Sequence, residues 1–213
     1  MTSIPGWIDL LDAALTVIAE AERLAGRPIE WTLGGGTAIM VAHAHRLSRD
    51  VDLFLHEAQM LPMLSPRLND GAAALTEVYG ESASAVRLEL GPGEIDFILA
   101  PDLTGLPAPP CLVHGRRVAL QHPIEIVAKK GFYRAAGFTL RDAFDMAVVL
   151  DRHPAEHPAL ARVLTSKADV LARRLAVIAE RRAEMPGAVT PLPGFEDYLT
   201  TAPDICRAFV ASL

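Results

Sequence analysis

The stretch that most restricts the fold is residues 32–54, TLGGGTAIMVAHAHRLSRDVDLF, where a glycine turn and a short helical run precede two aspartates. The aspartates are Asp50 and Asp52, in a run whose apolar members predict a strand. Alternate side chains of a strand share a face, so both carboxylates emerge together while Val51 and Leu53 enter a core. Two close carboxylates repel unless a cation lies between them, and oxygen ligands suit Mg²⁺ or Mn²⁺. The pattern predicts a metal site, although a D-x-D triplet alone is also typical of a solvated strand.

The glycines add a second prediction. Gly34, Gly35 and Gly36 follow the strand-like run 29–33, and a helical run begins at Thr37. A helix that starts directly after such a turn presents backbone N–H groups and the positive end of its dipole to an anion. Glycine permits close backbone approach, and the lack of a following lysine excludes a Walker loop. A phosphate cradle beside a carboxylate pair indicates metal-dependent phosphoryl or nucleotidyl transfer.

These residues carry a family resemblance. The pattern Gly35-Gly36-Thr37-Ala38, then His45-Arg46-x-Ser48-x-Asp50-Val51-Asp52-Leu53-Phe54, resembles the nucleotidyltransferase motif of the AbiEii/AbiGii (MenT-like) toxin family. That family belongs to the DNA polymerase β-like nucleotidyltransferase superfamily, which commonly has Gly-Ser where this chain has Gly36-Thr37. The resemblance implies that Gly35, Gly36 and Thr37 bind a nucleoside triphosphate and that the two aspartates bind metal. Arg46 and Ser48 are further candidate nucleotide contacts.

A third carboxylate is expected, because metal-dependent nucleotidyl transfer usually needs one more acidic group to hold two ions. The best candidate is Asp96, in the strand-like run Glu94-Ile95-Asp96-Phe97-Ile98. An edge-strand aspartate facing water would give the same pattern. Polymerase β-like folds place their third carboxylate on such a later strand, so the resemblance favours Asp96 as a metal ligand and catalytic residue. Glu94 shares its face and is the alternative.

The run 124–134, IEIVAKKGFYR, supplies two lysines that follow an apolar helical stretch. Such lysines also occur at solvated helix ends. AbiEii-like proteins carry a helix lysine followed by an Arg-Asp pair and a further aspartate, a register that Lys130, Arg141, Asp142 and Asp145 match. The resemblance implies that Lys130 contacts the triphosphate, with Lys129 as the alternative if the helix is rotated. It implies that Asp142 fixes the lysine or assists the acceptor hydroxyl, and that Asp145 caps or braces the helix pair.

Composition limits the class of protein. The chain has 213 residues, 51% of them hydrophobic, which is enough for a substantial core and too apolar for disorder. No apolar run reaches membrane-spanning length and the N-terminus lacks an export signal, so we expect a cytoplasmic protein with no membrane partner. A formal net charge of −6 argues against indiscriminate nucleic-acid coating. Cys111 and Cys206 match no metal or redox spacing and are predicted to be free buried thiols.

The pattern along the chain predicts an α+β protein. Residues 7–25 read as an amphipathic helix, 59–79 as mostly helical, and 86–99 and 112–120 as two hairpins. We therefore predict a polymerase β-like fold, with a mixed sheet flanked by helices, over residues 1–122. A helical C-terminal bundle over residues 123–213 is predicted to pack on that core.

One long helix is predicted over residues 158–183. Lys167, Arg174 and Arg181 repeat every seven residues along one of its faces. Such a stripe is usually a solvated helix face, but it would also suit an RNA phosphate track.

The leading hypothesis is a metal-dependent nucleotidyltransferase that moves a nucleoside monophosphate from an NTP to an acceptor hydroxyl. The resemblance implies a toxin of a toxin–antitoxin or phage-defence system, acting on tRNA and restrained by an antitoxin protein. One alternative is modification of a small molecule, as in antibiotic-modifying relatives of the superfamily. The other alternative is a non-catalytic nucleotide-binding or partner-binding module.

Overall fold

The computed structural model describes residues 6–91, 93–184 and 187–213, which form two compact units. Unit 1 comprises Met1–Ala38, Ser48–Pro101 and Ala108–Gln121. Unit 2 comprises Ile39–Leu47, Asp102–Pro107 and His122–Leu213. The division at residue 122 into a core and a packed helical region remains a prediction.

The described residues contain eight α-helices and seven strands. The helices are α1 (Trp7–Ala25), α2 (Gly35–His43), α3 (Asp70–Leu75), α4 (Pro123–Tyr133), α5 (Leu140–Arg152), α6 (His157–Leu164), α7 (Ala168–Arg181) and α8 (Tyr198–Val210). The strands are β1 (Trp31–Gly34), β2 (Val51–Leu55), β3 (Tyr79–Glu81), β4 (Ala85–Glu89), β5 (Glu94–Leu99), β6 (Pro110–Val113) and β7 (Arg116–Ala119). Within the described ranges, no helix has both the length and the apolar character that crossing a bilayer requires.

Unit 1 is organised around a five-stranded sheet in the order β1-β2-β5-β4-β3. β2 and β5 are parallel, whereas the other neighbouring strands pair antiparallel, so the predicted mixed sheet is confirmed. Alternation along β2 and β5 sends Val51, Leu53, Ile95 and Phe97 into the core, where their side chains are fully buried. The polar residues between them consequently lie on the opposite face. Both predicted hairpins, β4-β5 and β6-β7, are confirmed.

α1 confirms the helix predicted over residues 7–25. It buries an apolar stripe of Leu10, Leu11, Ala14, Val17, Ile18 and Ala21 and ends at Gly26, whose φ of 67° is left-handed. The mostly helical stretch predicted over residues 59–79, with interruptions near Pro62, Pro66 and residues 69–71, is confirmed in part. A 3₁₀ helix, Ala58–Leu64, contains Pro62, α3 is short, and Tyr79 already belongs to β3. Asn69 starts α3 by accepting the Ala72 N–H at 2.8 Å.

From Pro123 onward the described residues of unit 2 are mostly helical, as predicted, apart from the irregular stretch 187–197, but the single helix predicted over residues 158–183 is wrong. α6 ends at Leu164, and a 3₁₀ turn, Thr165–Lys167, separates it from α7. Thr165 Oγ1 donates 2.7 Å back to Ala161 O, a local bond that competes with regular helix continuation. The basic stripe lies after this break, with Lys167 directly before α7 and Arg174 and Arg181 on it, and Arg174 donates to Phe138 O at 2.6 Å.

Candidate functional site

Four carboxylates meet on one face of the sheet of unit 1, and we call Asp50, Asp52, Glu94 and Asp96 the carboxylate cluster. The parallel register pairs Asp52 with Asp96 across β2 and β5. Adjacent strands lie about 4.8 Å apart, so these two side chains are direct neighbours. Asp50 stands just before β2 and its Oδ1 accepts the Glu94 N–H at 3.3 Å. The three predicted metal ligands are thus brought together, with Glu94 beside them.

Arg87 is the cationic partner of the carboxylate cluster. It lies opposite Asp96 on β4, with Nε 2.8 Å from Oδ1 and Nη2 2.9 Å from Oδ2. Its Nε is also 3.3 Å from Glu94 Oε2. The hydrogen bond to Asp96 raises the pKa of Arg87, so this guanidinium is always charged. Two of the four carboxylates, Asp96 and Glu94, are thus paired with Arg87.

The surroundings of Glu94 raise its pKa. Burial raises its pKa above 4.5, and the neighbouring charges of Asp96 and Asp50 add to the rise while Arg87 opposes it. All the donors are oxygens, the ligand type that hard divalent ions such as Mg²⁺ and Mn²⁺ prefer. The residues present therefore fit such a cation.

Gly35 leaves the space that the Asp52 carboxylate occupies. It opens α2 with a left-handed φ of 65°, and a Cβ built on it would lie 1.7 Å from Asp52 Oδ2. The carboxylate thus occupies the space that any other residue at position 35 would fill. α2 starts here at Gly35, two residues before its predicted start. The positive end of its dipole lies beside the Asp52 carboxylate.

Thr37 connects α2 to the cluster. Its side chain is fully buried and its hydroxyl donates a hydrogen bond to the main-chain oxygen of Asp50. The Thr37 hydroxyl, in a residue predicted to bind the triphosphate, therefore positions the main chain at Asp50. Gly36 follows in the first turn of α2 and is half-buried, as is Ser48, two residues before Asp50.

A second group of charges lies in unit 2, around Asp145, and we call it the Asp145 cluster. Lys130 Nζ is 2.6 Å from Asp145 Oδ2, and Arg46 reaches the same carboxylate with Nε at 2.5 Å and Nη2 at 2.8 Å. His45 Nε2 is 2.7 Å from Asp145 Oδ1. Burial opposes ionisation of Asp145, but Lys130 and Arg46 hold its pKa well below 3.8. The predicted bracing role of Asp145 has a physical basis in these bonds.

Asp142 holds Lys130 from the neighbouring turn. Its Oδ1 is 3.1 Å from Lys130 Nζ, and Thr139 Oγ1 donates to its Oδ2 at 2.8 Å in a capping box at the start of α5. Burial lowers the pKa of Lys130, but Asp145 and Asp142 outweigh it and raise that pKa above 10.5. The lysine is therefore protonated at neutral pH.

Comparison with known families decides the assignment. Residues 19–199, well over half of the chain, match the family described as nucleotidyl transferase AbiEii toxin, type IV TA system. The chain belongs to the AbiEii nucleotidyltransferase family. It is a nucleotidyltransferase enzyme, and the suspected resemblance is confirmed. No significant sequence match to a curated protein is found.

Solved structures show the fold of this AbiEii-family chain. The antibiotic-resistance factor ANT(2'')-Ia aligns with a TM-score of 0.51 at 15% identity, over 83% of this chain and 98% of that one. JHP933 from Helicobacter pylori aligns with a TM-score of 0.47 at 15% identity, over 97% and 93% of the two chains. The first comparison, with the mixed sheet and helices, shows the predicted α+β polymerase β-like nucleotidyltransferase fold.

Two predicted nucleotide contacts of the AbiEii enzyme have other partners. Lys129 is 4% exposed and its Nζ is 3.3 Å from both Asp102 Oδ1 and Glu125 Oε1. Arg46 is 2% exposed and forms an ion pair with Asp145. Both side chains make ion pairs within unit 2, and their contacts with a nucleotide stay predictions.

Sequence reasoning missed Arg87 and the role of His45. Alternation in Ala85-Val86-Arg87-Leu88-Glu89 placed Arg87 on the polar face, and counting back across the hairpin turn would have set it opposite Asp96. No local signal marked His45 as a partner of Asp145, because the two residues are 100 positions apart. Of the predicted free thiols, Cys206 is buried and Cys111 is half-buried.

Proposed function

We propose that this AbiEii-family enzyme is a metal-dependent nucleotidyltransferase that transfers a nucleoside monophosphate from an NTP to a hydroxyl of tRNA. The observation that carries the proposal is the register of β2 and β5, which sets Asp52 beside Asp96 with Asp50 at the same end of the sheet. Chemistry on a triphosphate requires this concentration of carboxylates. A module that only binds a partner has no reason to retain it.

Asp50, Asp52 and Asp96 would hold Mg²⁺ or Mn²⁺. The bound ion supplies positive charge to the triphosphate and lowers the pKa of the acceptor hydroxyl. The chain's own contribution is placement. Gly35 leaves room for the Asp52 carboxylate, Thr37 fixes the backbone at Asp50, and the Arg87 guanidinium offsets the charge of Asp96 through two hydrogen bonds.

Lys130 is proposed as the cationic contact of the triphosphate, a point charge that the Asp145 cluster keeps protonated. Asp142 is proposed as a positioning residue. Burial raises its pKa, but Lys130, Arg134 and Thr139 together lower it below 3.8, which makes this carboxylate a poor proton acceptor at neutral pH. Of the two predicted roles of Asp142, holding the lysine is therefore the one we propose.

The acceptor is the point on which a rival proposal differs. AbiEii membership supports a toxin, and we propose that an antitoxin protein restrains it. The net charge of −6, and a basic stripe whose Arg174 already bonds Phe138 O, favour the rival, a small or cationic acceptor. A direct comparison of acceptors is therefore part of the test.

The test incubates purified protein with each labelled NTP, Mg²⁺ or Mn²⁺, and either total tRNA or a panel of aminoglycosides. We expect label on tRNA, and a loss of at least about 100-fold in Asp52→Asn and Asp96→Asn. Asp12→Asn is the matched control, since Asp12 is an exposed carboxylate of unit 1 paired with Arg116. Transfer that persists in Asp52→Asn refutes the metal site, whereas label on the aminoglycosides alone selects the rival acceptor.

Toxicity has its own assay. Induced expression of the wild type should arrest growth, and Asp52→Asn should not. If both arrest growth equally, the arrest does not come from nucleotidyl transfer. Co-expression of a neighbouring reading frame that restores growth would identify the antitoxin.

A further inference from the structure

Three helix ends in unit 2 converge on a group of histidines that the proposed reaction does not use. His43 ends α2, His122 caps the start of α4, and His153 caps the end of α5. Glu156 stands in the 3₁₀ turn that follows. One ligand atom each from His122, His153 and Glu156 lie within 4.8 Å of one another. We call these three residues with His43 the histidine cluster.

The hydrogen bonds of the histidine cluster suit a metal-binding His153. Its Nε2 lies 2.9 Å from His43 Nε2, a contact that two neutral rings make when one donates and the other accepts. Assigning the proton to His153 Nε2 leaves a lone pair on its Nδ1, the atom 3.9 Å from Glu156 Oε2. Metal-bound histidines have this arrangement, with one nitrogen on the ion and the other hydrogen-bonded to a supporting group.

The hydrogen bond of His122 determines where its ring proton lies. His122 Nδ1 accepts the Ile124 N–H at 3.2 Å, so the proton of the metal-free neutral ring is on Nε2. Ligation through Nε2 moves the ring proton to Nδ1 and replaces that long capping bond with a metal bond.

The histidine cluster lies on the same helix pair as Lys130. Lys130 near the end of α4 pairs with Asp145 near the start of α5, so the two helices run antiparallel. His122 and His153 lie at the other end of the same helix pair. An ion there would join α4 to α5 about 12 Å along the helix from Lys130, given a rise of 1.5 Å per residue.

We propose that His122, His153 and Glu156 bind a divalent transition-metal ion, with Zn²⁺ the best match, and that His43 orients His153. Two imidazole nitrogens and one carboxylate oxygen form the donor set of three-ligand zinc sites that keep a fourth position for water. This set differs in kind from the all-oxygen carboxylate cluster. The ion fastens α4 to α5 and so steadies the helix pair that carries Lys130.

The test uses tag-free full-length protein, stripped with a chelator and titrated with Co²⁺ or Zn²⁺ in excess Mg²⁺. We expect one Co²⁺ per chain with visible d–d absorption and imidazole coordination. His122→Gln and His153→Gln should weaken binding by well over tenfold, and His43→Gln by roughly tenfold, the usual effect of losing a supporting contact. His114→Gln, an exposed histidine of unit 1, and Asp52→Asn should bind as the wild type does.

Two further measurements keep the proposal open to refutation if a histidine variant folds poorly. Glu156→Gln alters a half-exposed side chain and should also weaken Co²⁺ binding. Zn²⁺ should raise the unfolding midpoint of the wild type and of Asp52→Asn, but not that of His153→Gln, because a ligand stabilises only the state it binds. Absence of Co²⁺ binding to the wild type, or binding that Asp52→Asn abolishes and His153→Gln retains, overturns the proposal.

Discussion

Replacing Gly35 by alanine tests the placement of Asp52 against a closely matched control. Gly35 and Gly26 have nearly the same left-handed φ, 65° and 67°. A Cβ on Gly26 meets no atom within 4 Å, whereas one on Gly35 lies 1.7 Å from Asp52 Oδ2. Both variants carry the strain of a left-handed alanine, about 1–2 kcal/mol, and only Gly35→Ala also displaces a carboxylate.

The size of that displacement follows from the contact. Restoring an ordinary separation of about 3.5 Å moves Oδ2 by roughly 1.8 Å, at a packing cost of about 1–3 kcal/mol. We expect Gly35→Ala to lose about 2–5 kcal/mol of unfolding free energy and Gly26→Ala about 1–2 kcal/mol. Because a misplacement of about 1 Å can cost 100-fold in rate, transfer by Gly35→Ala should fall by at least that factor.

Urea unfolding followed by circular dichroism measures the stabilities, and transfer from labelled NTP measures the rates under conditions where both variants are folded. Gly26→Ala should keep the wild-type rate. The reasoning is refuted if Gly35→Ala transfers as fast as Gly26→Ala, since Asp52 would then not need the space beside Gly35.

Other expectations concern the charges. Asp145→Asn should lower the unfolding free energy by about 3–5 kcal/mol, because it leaves buried cations uncompensated, whereas Asp204→Asn in an exposed pair should cost less than about 1 kcal/mol. The pKa of Asp142 is lowered in the folded state, so its contribution to stability is present above pH 3.8 and is lost as the pH falls below that value. Asp142→Asn should therefore flatten the acid side of the stability profile, and an unchanged profile would contradict the assignment. Arg87→Gln should raise the affinity for Mn²⁺ by roughly three- to tenfold in calorimetry, since it removes an exposed competing cation worth about 1 kcal/mol, and weaker binding would count against a metal site at Asp96.

The local elements were predictable because their signals are local. The alternation around Asp52 and Asp96 predicted two strands with carboxylates on the polar face, and both strands are observed. Their parallel pairing was not predicted, since the paired residues are 44 positions apart and no turn connects them directly. The break at Thr165 was missed because the apolar period continues across it.

The charge networks were harder to predict because their members lie far apart in the sequence. Asp145 collects His45, Arg46 and Lys130 from two separate parts of the chain, and the sequence indicated only that it braced a helix. The buried orientation of Thr37 depends on the packing of α2, so its hydrogen bond to the main chain at Asp50 could not be predicted from the sequence, and its contact with a triphosphate stays a prediction.

The sheet order also implies an order of folding. The β4-β5 hairpin joins Arg87 and Asp96 across only nine positions, whereas β2-β5 pairing must close a much longer loop, which is entropically slower. Asp96 is therefore expected to meet Asp52 with its charge already balanced by Arg87. An arginine that would compete with the proposed metal ion in the folded enzyme would lower the repulsion between two converging strands during folding. Slower refolding of Arg87→Gln without Mg²⁺, and recovery of the rate when Mg²⁺ is added, would be its kinetic signature.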